Sequence, residues 1–89
     1  MVFFHKANDG IHKYVAVFDD RQVKFGAVGY TDYTKSHDEE RKHLYLIRHR
    51  HENWNNPKTP GALSRWILWN KPTIAESIAD YKHRFGYFL

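Results

Sequence analysis

Apolar residues alternate with polar ones up to about residue 28 and recur at three- and four-residue spacing beyond about residue 36, so the period changes once, near residue 35. The alternating half predicts strands. "VFFHK" (2–6) and "IHKYVAVF" (11–18) flank Asn8-Asp9-Gly10, and Asp-Gly is a hairpin signal because glycine accepts positive φ at little cost. Within 11–18, Tyr14, Ala16 and Phe18 share one face, directed at the core, with Val15 and Val17 on the other. Asp19 to Gln22 reads as a turn and "VKF" (23–25) as a third strand, giving an antiparallel meander whose apolar face needs a cover. Gly26 and Gly29 end the alternation. "GYTDYT" (29–34) then reads as a structured loop in which Asp32 and Thr34 make turn hydrogen bonds, with stacking of Tyr30 and Tyr33 on a nucleic acid as the less favoured reading.

The second half predicts helices. Ser36 and Glu39 form an S-x-x-E capping box ahead of a helix over 37–51. Thr59-Pro60 supplies an N-cap and a proline at the first helical position of a helix over 60–69, which buries Leu63, Trp66 and Ile67. Thr73 and Glu76 repeat the box. The last helix runs to about Arg84 or Phe85, with Ile74, Ile78, Tyr81 and Phe85 on one stripe and Gly86 placed as its C′ residue. Strands that come together and are followed by helices specify an α+β fold: an N-terminal antiparallel three-stranded meander packed against three helices. We expect a single domain over 1–89, with the meander in about 1–28 and the helices in about 36–85.

Composition narrows the classes. The chain has 89 residues, enough for one small domain, and aromatics at 17% supply much of its core area. With no cysteine, disulfides and thiolate metal sites are excluded and secretion is disfavoured. No apolar run reaches the roughly 18 residues of a membrane span, and Met-Val-Phe-Phe-His is too short for a signal peptide. A soluble protein, intracellular or packaged in something made there, is expected, with no membrane partner. A formal charge of +4 permits a polyanionic partner without requiring one.

The 48–54 stretch "RHRHENW" concentrates the candidate chemistry. At about 100° per residue, Leu44, Ile47 and His51 share a face of the helix over 37–51, while Arg41, Lys42, Tyr45, Arg48 and His49 cover a continuous side surface. With Arg50 they form a candidate nucleic-acid-binding patch: the cations match phosphates, and Tyr45 is placed to stack on a base. The competing reading is a solvated face tied by Asp38–Arg41, Asp38–Lys42 and Glu40–His43 contacts. His49 and His51 diverge on a helix and no HExxH spacing exists, so no metal or other cofactor is expected. Ser36, Ser64 and Ser77 occupy cap or helix positions without a nucleophile elbow, Asp19-Asp20 and Glu39-Glu40 suit a turn and a helix start, and Gly26 and Gly29 lack a following Lys-Ser/Thr. No catalytic residue is predicted, and the protein is expected not to be an enzyme. Trp54 and Trp69, with Phe88 and Leu89 of the terminal "FGYFL", form a candidate protein interface that would also serve a homodimer. Arg65 is expected to stack on Trp69 or to join Glu52 in locking the helices together.

Three segments, "VKFGAVGYTDYT", "HDEERKHLYLIRHRHENW" and "GALSRWILWNKPTIAESIADYKHRF", resemble a family of small uncharacterised proteins of giant, nucleocytoplasmic large DNA viruses of the mimivirus-, marseillevirus- and phycodnavirus-like groups. The resemblance covers roughly 12–85 and rests on the combination of Arg41-Lys42, Tyr45, Arg48-His49, Glu52-Asn53-Trp54, Ser64-Arg65-Trp66, Leu68-Trp69 and Lys71-Pro72-Thr73; "MVFFHKANDG" lies outside it. It implies a viral origin and a place in the virion or the host cytoplasm, with the nucleus left open, and it supplies no activity. The function expected is that of a small basic viral accessory protein, non-catalytic, binding nucleic acid through the basic face of the first long helix. The alternative is a virion-associated structural or interaction module acting through an aromatic surface, self-association and other viral proteins. A metal-dependent nuclease ranks last.

Overall fold

Antiparallel pairing joins β1 (Val2–Lys6), β2 (Tyr14–Phe18) and β3 (Gln22–Phe25) into a meander of order β1-β2-β3, in a computed structural model that describes residues 1–87. The register sets Phe4 opposite Ala16 and Ala16 opposite Val23, so these residues share the inner face with Val2, Phe18 and Phe25. Helices follow in the chain: α1 (Tyr33–Ser36), α2 (Glu39–Arg48), α3 (Pro60–Leu63, continuing as a π-helical turn over Ser64–Leu68) and α4 (Ile74–Phe85). The fold is α+β, an antiparallel sheet packed against helices.

The second strand starts later than the alternation suggests, at Tyr14 instead of residue 11. One Asp9 oxygen accepts from the backbone N–H groups of Ile11 and His12, both at 2.9 Å, and holds the connection in an Asx turn. Gly10 sits there at φ 73°. The other Asp9 oxygen lies 2.8 Å from Nδ1 of His12 and 3.4 Å from Nζ of Lys24. These hydrogen bonds, led by the His12 N–H, hold the Asp9 carboxyl well below the usual carboxylate range. A depressed carboxylate stabilises the fold above its unfolded value, near 4, and that contribution is lost as pH falls below it toward the folded value. Asp9→Asn keeps the oxygen that accepts both N–H groups and removes the titration. Thermal melts from pH 6 to pH 2.5 are therefore expected to show a smaller fall in Tm for Asp9→Asn than for the wild type; equal falls would refute the assignment.

The helical half follows its capping residues. Thr59 accepts from the Ala62 N–H at 3.2 Å with Pro60 behind it, Thr73 accepts from the Glu76 N–H at 3.1 Å, and Gly86 closes α4 at φ 77°. The first box is different. Asp38, not Ser36, caps α2, accepting from the N–H groups of Glu40 at 3.0 Å and Arg41 at 3.2 Å. The reason lies in α1, a short helix that sequence periodicity does not signal. Asp32 caps it by accepting from the Thr34 N–H at 2.9 Å and from the Thr34 hydroxyl, and His37 ends it in the left-handed region at φ 51°. The chain restarts one residue later, so Ser36 serves only to accept from the Asp38 N–H at 3.2 Å.

The core joins Val2, Ala16, Phe18 and Phe25 of the sheet to Leu63, Ile67 and Leu68 of α3 and Tyr81 of α4. The π-helical turn, closed by the Trp69 N–H on the Ser64 carbonyl at 3.1 Å, inserts one extra residue, so consecutive Ile67 and Leu68 are both buried and Trp69 swings toward α2. Trp66 is half-buried at the core margin, not inside it: its N–H donates to the Trp54 carbonyl at 3.0 Å, which holds the indole at a polar boundary. Helices α3 and α4 thus supply the helical side of the core, while α2 attaches beside it through a few side chains.

Candidate functional site

Helix α2 has an inner and an outer face. Tyr45 is its one buried residue, 8% exposed, and its ring lies between the His49 imidazole at 4.2 Å and the Trp69 indole at 4.4 Å, nearly parallel to the latter. Burial pushes the Tyr45 hydroxyl up to about 12, with the Glu52 charge acting in the same direction and Arg65 against it. His49 Nδ1 lies 2.5 Å from Glu52 Oε2. Lys42 also turns inward: its Nζ donates to the Asn70 carbonyl at 2.7 Å and lies 4.7 Å from the centre of the Tyr33 ring, and partial burial lowers its pKa. Lys42, Tyr45 and His49 therefore attach α2 to the rest of the molecule. Tyr45 is not a surface residue placed to stack on a base, because the ring spacing that puts it beside the arginines also puts it over Trp69.

Arg41 and Arg48 occupy the outer face and are exposed, as is Arg50, which lies in the turn past the His49 cap. Arg41 is 3.7 Å from Asp38, an exposed pair of little energetic weight. Among the described residues no carboxylate pairs with Arg48 or Arg50. Between the arginines stand Leu44 and Ile47, 49% and 45% exposed.

A cleft of about 860 Å³ separates α2 from the segment after β3. Arg41, Arg48, Tyr45, His49 and Trp69 line it on the helical side, and Tyr30 and Thr31 on the other. Lys13 and Asp32, bonded at 2.6 Å and almost wholly buried, also line it. A second groove of about 470 Å³ runs along Leu44 and Ile47, and it shares Arg41, Arg48 and Trp69 with the first. The two concavities thus meet at a pair of solvated guanidinium groups beside a half-buried indole. Tyr30, 74% exposed, lines the first cleft next to Gly29, whose φ is 93°.

The remaining predicted residues are placed as follows. Trp54 is half-buried, 5.4 Å from the Arg65 guanidinium, and its indole N–H is buried without a hydrogen-bond partner among the described residues. Trp69 stacks on Tyr45. Both indoles are thus partly engaged within the chain. Phe88 and Leu89 lie outside the described residues. Arg65 does not reach a carboxylate of α2 or stack on Trp69; it lies 4.1 Å from the Trp66 ring and donates to the Trp69 carbonyl at 2.8 Å, an acceptor freed by the end of the π-helical turn. Glu52 is turned to His49 instead, with its other oxygen against Gly61, where a Cβ would come within 2.5 Å. Among the described residues no three His, Asp or Glu side chains converge to hold a metal ion, and no helix is long and apolar enough to cross a membrane.

The model of a family of unknown function, DUF5754, matches residues 2–49, from the first strand to the end of α2. No curated protein and no solved structure matches the chain.

Proposed function

The chain belongs to the DUF5754 family of unknown function, and from that premise we propose that it is a non-catalytic nucleic-acid-binding accessory protein. Its resemblance over roughly 12–85 to giant-virus proteins makes a DNA virus its proposed source. The observation that supports binding is the pair Arg41 and Arg48, one α2 turn-pair apart, exposed at the junction of two concavities and beside Trp69. Exposed cations seven residues apart lie about 10 Å from each other along a helix, a span that phosphates along a backbone can match. Of the other predicted cations, Lys42 and His49 are engaged inward, and Arg50 extends the patch past the helix end.

Fluorescence anisotropy of a labelled oligonucleotide at low salt tests this. The wild type is expected to bind, with affinity falling by about 0.7–0.9 of a log unit per log unit of salt for each phosphate neutralised. Arg41→Glu combined with Arg48→Glu is expected to weaken binding by at least about tenfold and to flatten that slope. Unaltered binding of DNA and RNA by the double variant would end the proposal.

A further inference from the structure

We infer that the preferred ligand at this junction is a single-stranded segment with unstacked bases, not a duplex; the inference rests on the nucleic-acid reading above and deepens it. Its basis is what stands beside the arginines. A helix that reads a duplex presents hydrogen-bonding side chains to base edges in the major groove. On α2 the residues that line the groove between Arg41 and Arg48 are Leu44 and Ile47, which offer no donor or acceptor, while His43, also exposed, lines neither concavity. Tyr30, 74% exposed, lines the same cleft as Arg41 and Arg48, an amphipathic side chain left in water. A duplex hides its base faces inside the stack, so it would meet the cations and leave these apolar groups uncovered. A single strand presents phosphates and π-faces together, and the combination of a basic track with aromatic platforms is what such strands require. The groove shape agrees: two concavities of about 860 and 470 Å³ share Arg41, Arg48 and Trp69, so a strand can hold its backbone at the junction with bases to either side. Arg guanidinium planes also stack on bases, which suits their place beside an indole.

Tyr30→Ala is the informative variant, because so exposed a side chain contributes little to folding. Anisotropy would compare oligo-dT of twelve nucleotides with a hairpin duplex of equal phosphate count, alongside a poly-glutamate peptide. We expect oligo-dT to bind at least about tenfold tighter than the duplex, and Tyr30→Ala to weaken oligo-dT by about five- to hundredfold while Tyr30→Phe restores it. The salt slope of Tyr30→Ala should match the wild type, unlike that of the arginine double variant. Equal binding of duplex and oligo-dT, or a Tyr30→Ala protein that binds oligo-dT as the wild type does, overturns the single-strand inference and leaves nucleic-acid binding standing. Absence of binding to either nucleic acid, or preference for poly-glutamate, overturns both.

Discussion

Replacing Tyr81 by alanine is expected to cost about 3–5 kcal/mol, the range for truncating a large buried aromatic. The ring is fully buried and joins parts of the chain far apart in sequence. It meets Phe4 of β1 edge-on at 5.5 Å, Phe85 at 5.0 Å and Tyr87 at 6.0 Å. Its hydroxyl donates to the Pro57 carbonyl at 2.7 Å, which ties the loop before α3 to α4. Small domains are stable by about 5–15 kcal/mol in total, so this one change removes a large part of the margin. Tyr81→Phe separates the two roles. It keeps the ring and leaves the Pro57 carbonyl without that donor, a loss of about 1 kcal/mol and of about 4–8 °C in Tm for a chain this size. Urea unfolding followed by circular dichroism reads both. A Tyr81→Ala protein destabilised by less than about 1 kcal/mol would mean that α4 does not pack on the sheet through this ring.

How far the sequence foretells such positions depends on whether neighbours or distant residues set them. Tyr81 is legible: it lies on the Ile74–Ile78–Phe85 stripe, and an amphipathic helix buries its stripe whatever covers it. The caps at Thr59 and Thr73 are legible for the same reason, since donor and acceptor are three residues apart. Ser36 carries the same local pattern and fails, because Asp32 starts a helix just upstream and His37 takes the left-handed turn that ends it. The faces of α2 are the least legible. Leu44 and Ile47 look like a core face, yet they are exposed, while Tyr45 is buried. What decides this is Trp69, which lies 24 residues on and is aimed at α2 by an extra residue in a π-helical turn. No periodicity within α2 encodes that. The candidate site was therefore half visible: Arg41 and Arg48 stand outward as the sequence suggests, Lys42 and His49 do not, and Tyr30 reaches the cleft only through tertiary folding.

The same dependence on distant residues makes Lys13 the second position where a single change should be severe. Its Nζ lies 2.6 Å from Asp32 Oδ2, with side-chain exposures of 9% and 2%. The stem is covered as well, since a Cβ at Gly26 would come within 3.1 Å of it. Lys13→Met preserves much of that stem and leaves the Asp32 carboxylate buried without its counter-charge, at an expected cost of about 3–5 kcal/mol. Asp32 has a further task as the cap of α1, and asparagine can still accept from the Thr34 N–H. Lys13→Met with Asp32→Asn should therefore recover most of the loss, falling within about 1–2 kcal/mol of the wild type, because removing both charges also removes the desolvation they require. Chemical denaturation of the two single variants and the double closes the cycle, and the double variant is expected to be destabilised by far less than the sum of the singles. If the double variant is as unstable as Lys13→Met alone, the lysine matters for the packing of its stem and not for its charge. The pair also lines the cleft, so the double variant should bind oligonucleotides with the wild-type salt slope, the phosphate contacts being assigned to Arg41 and Arg48.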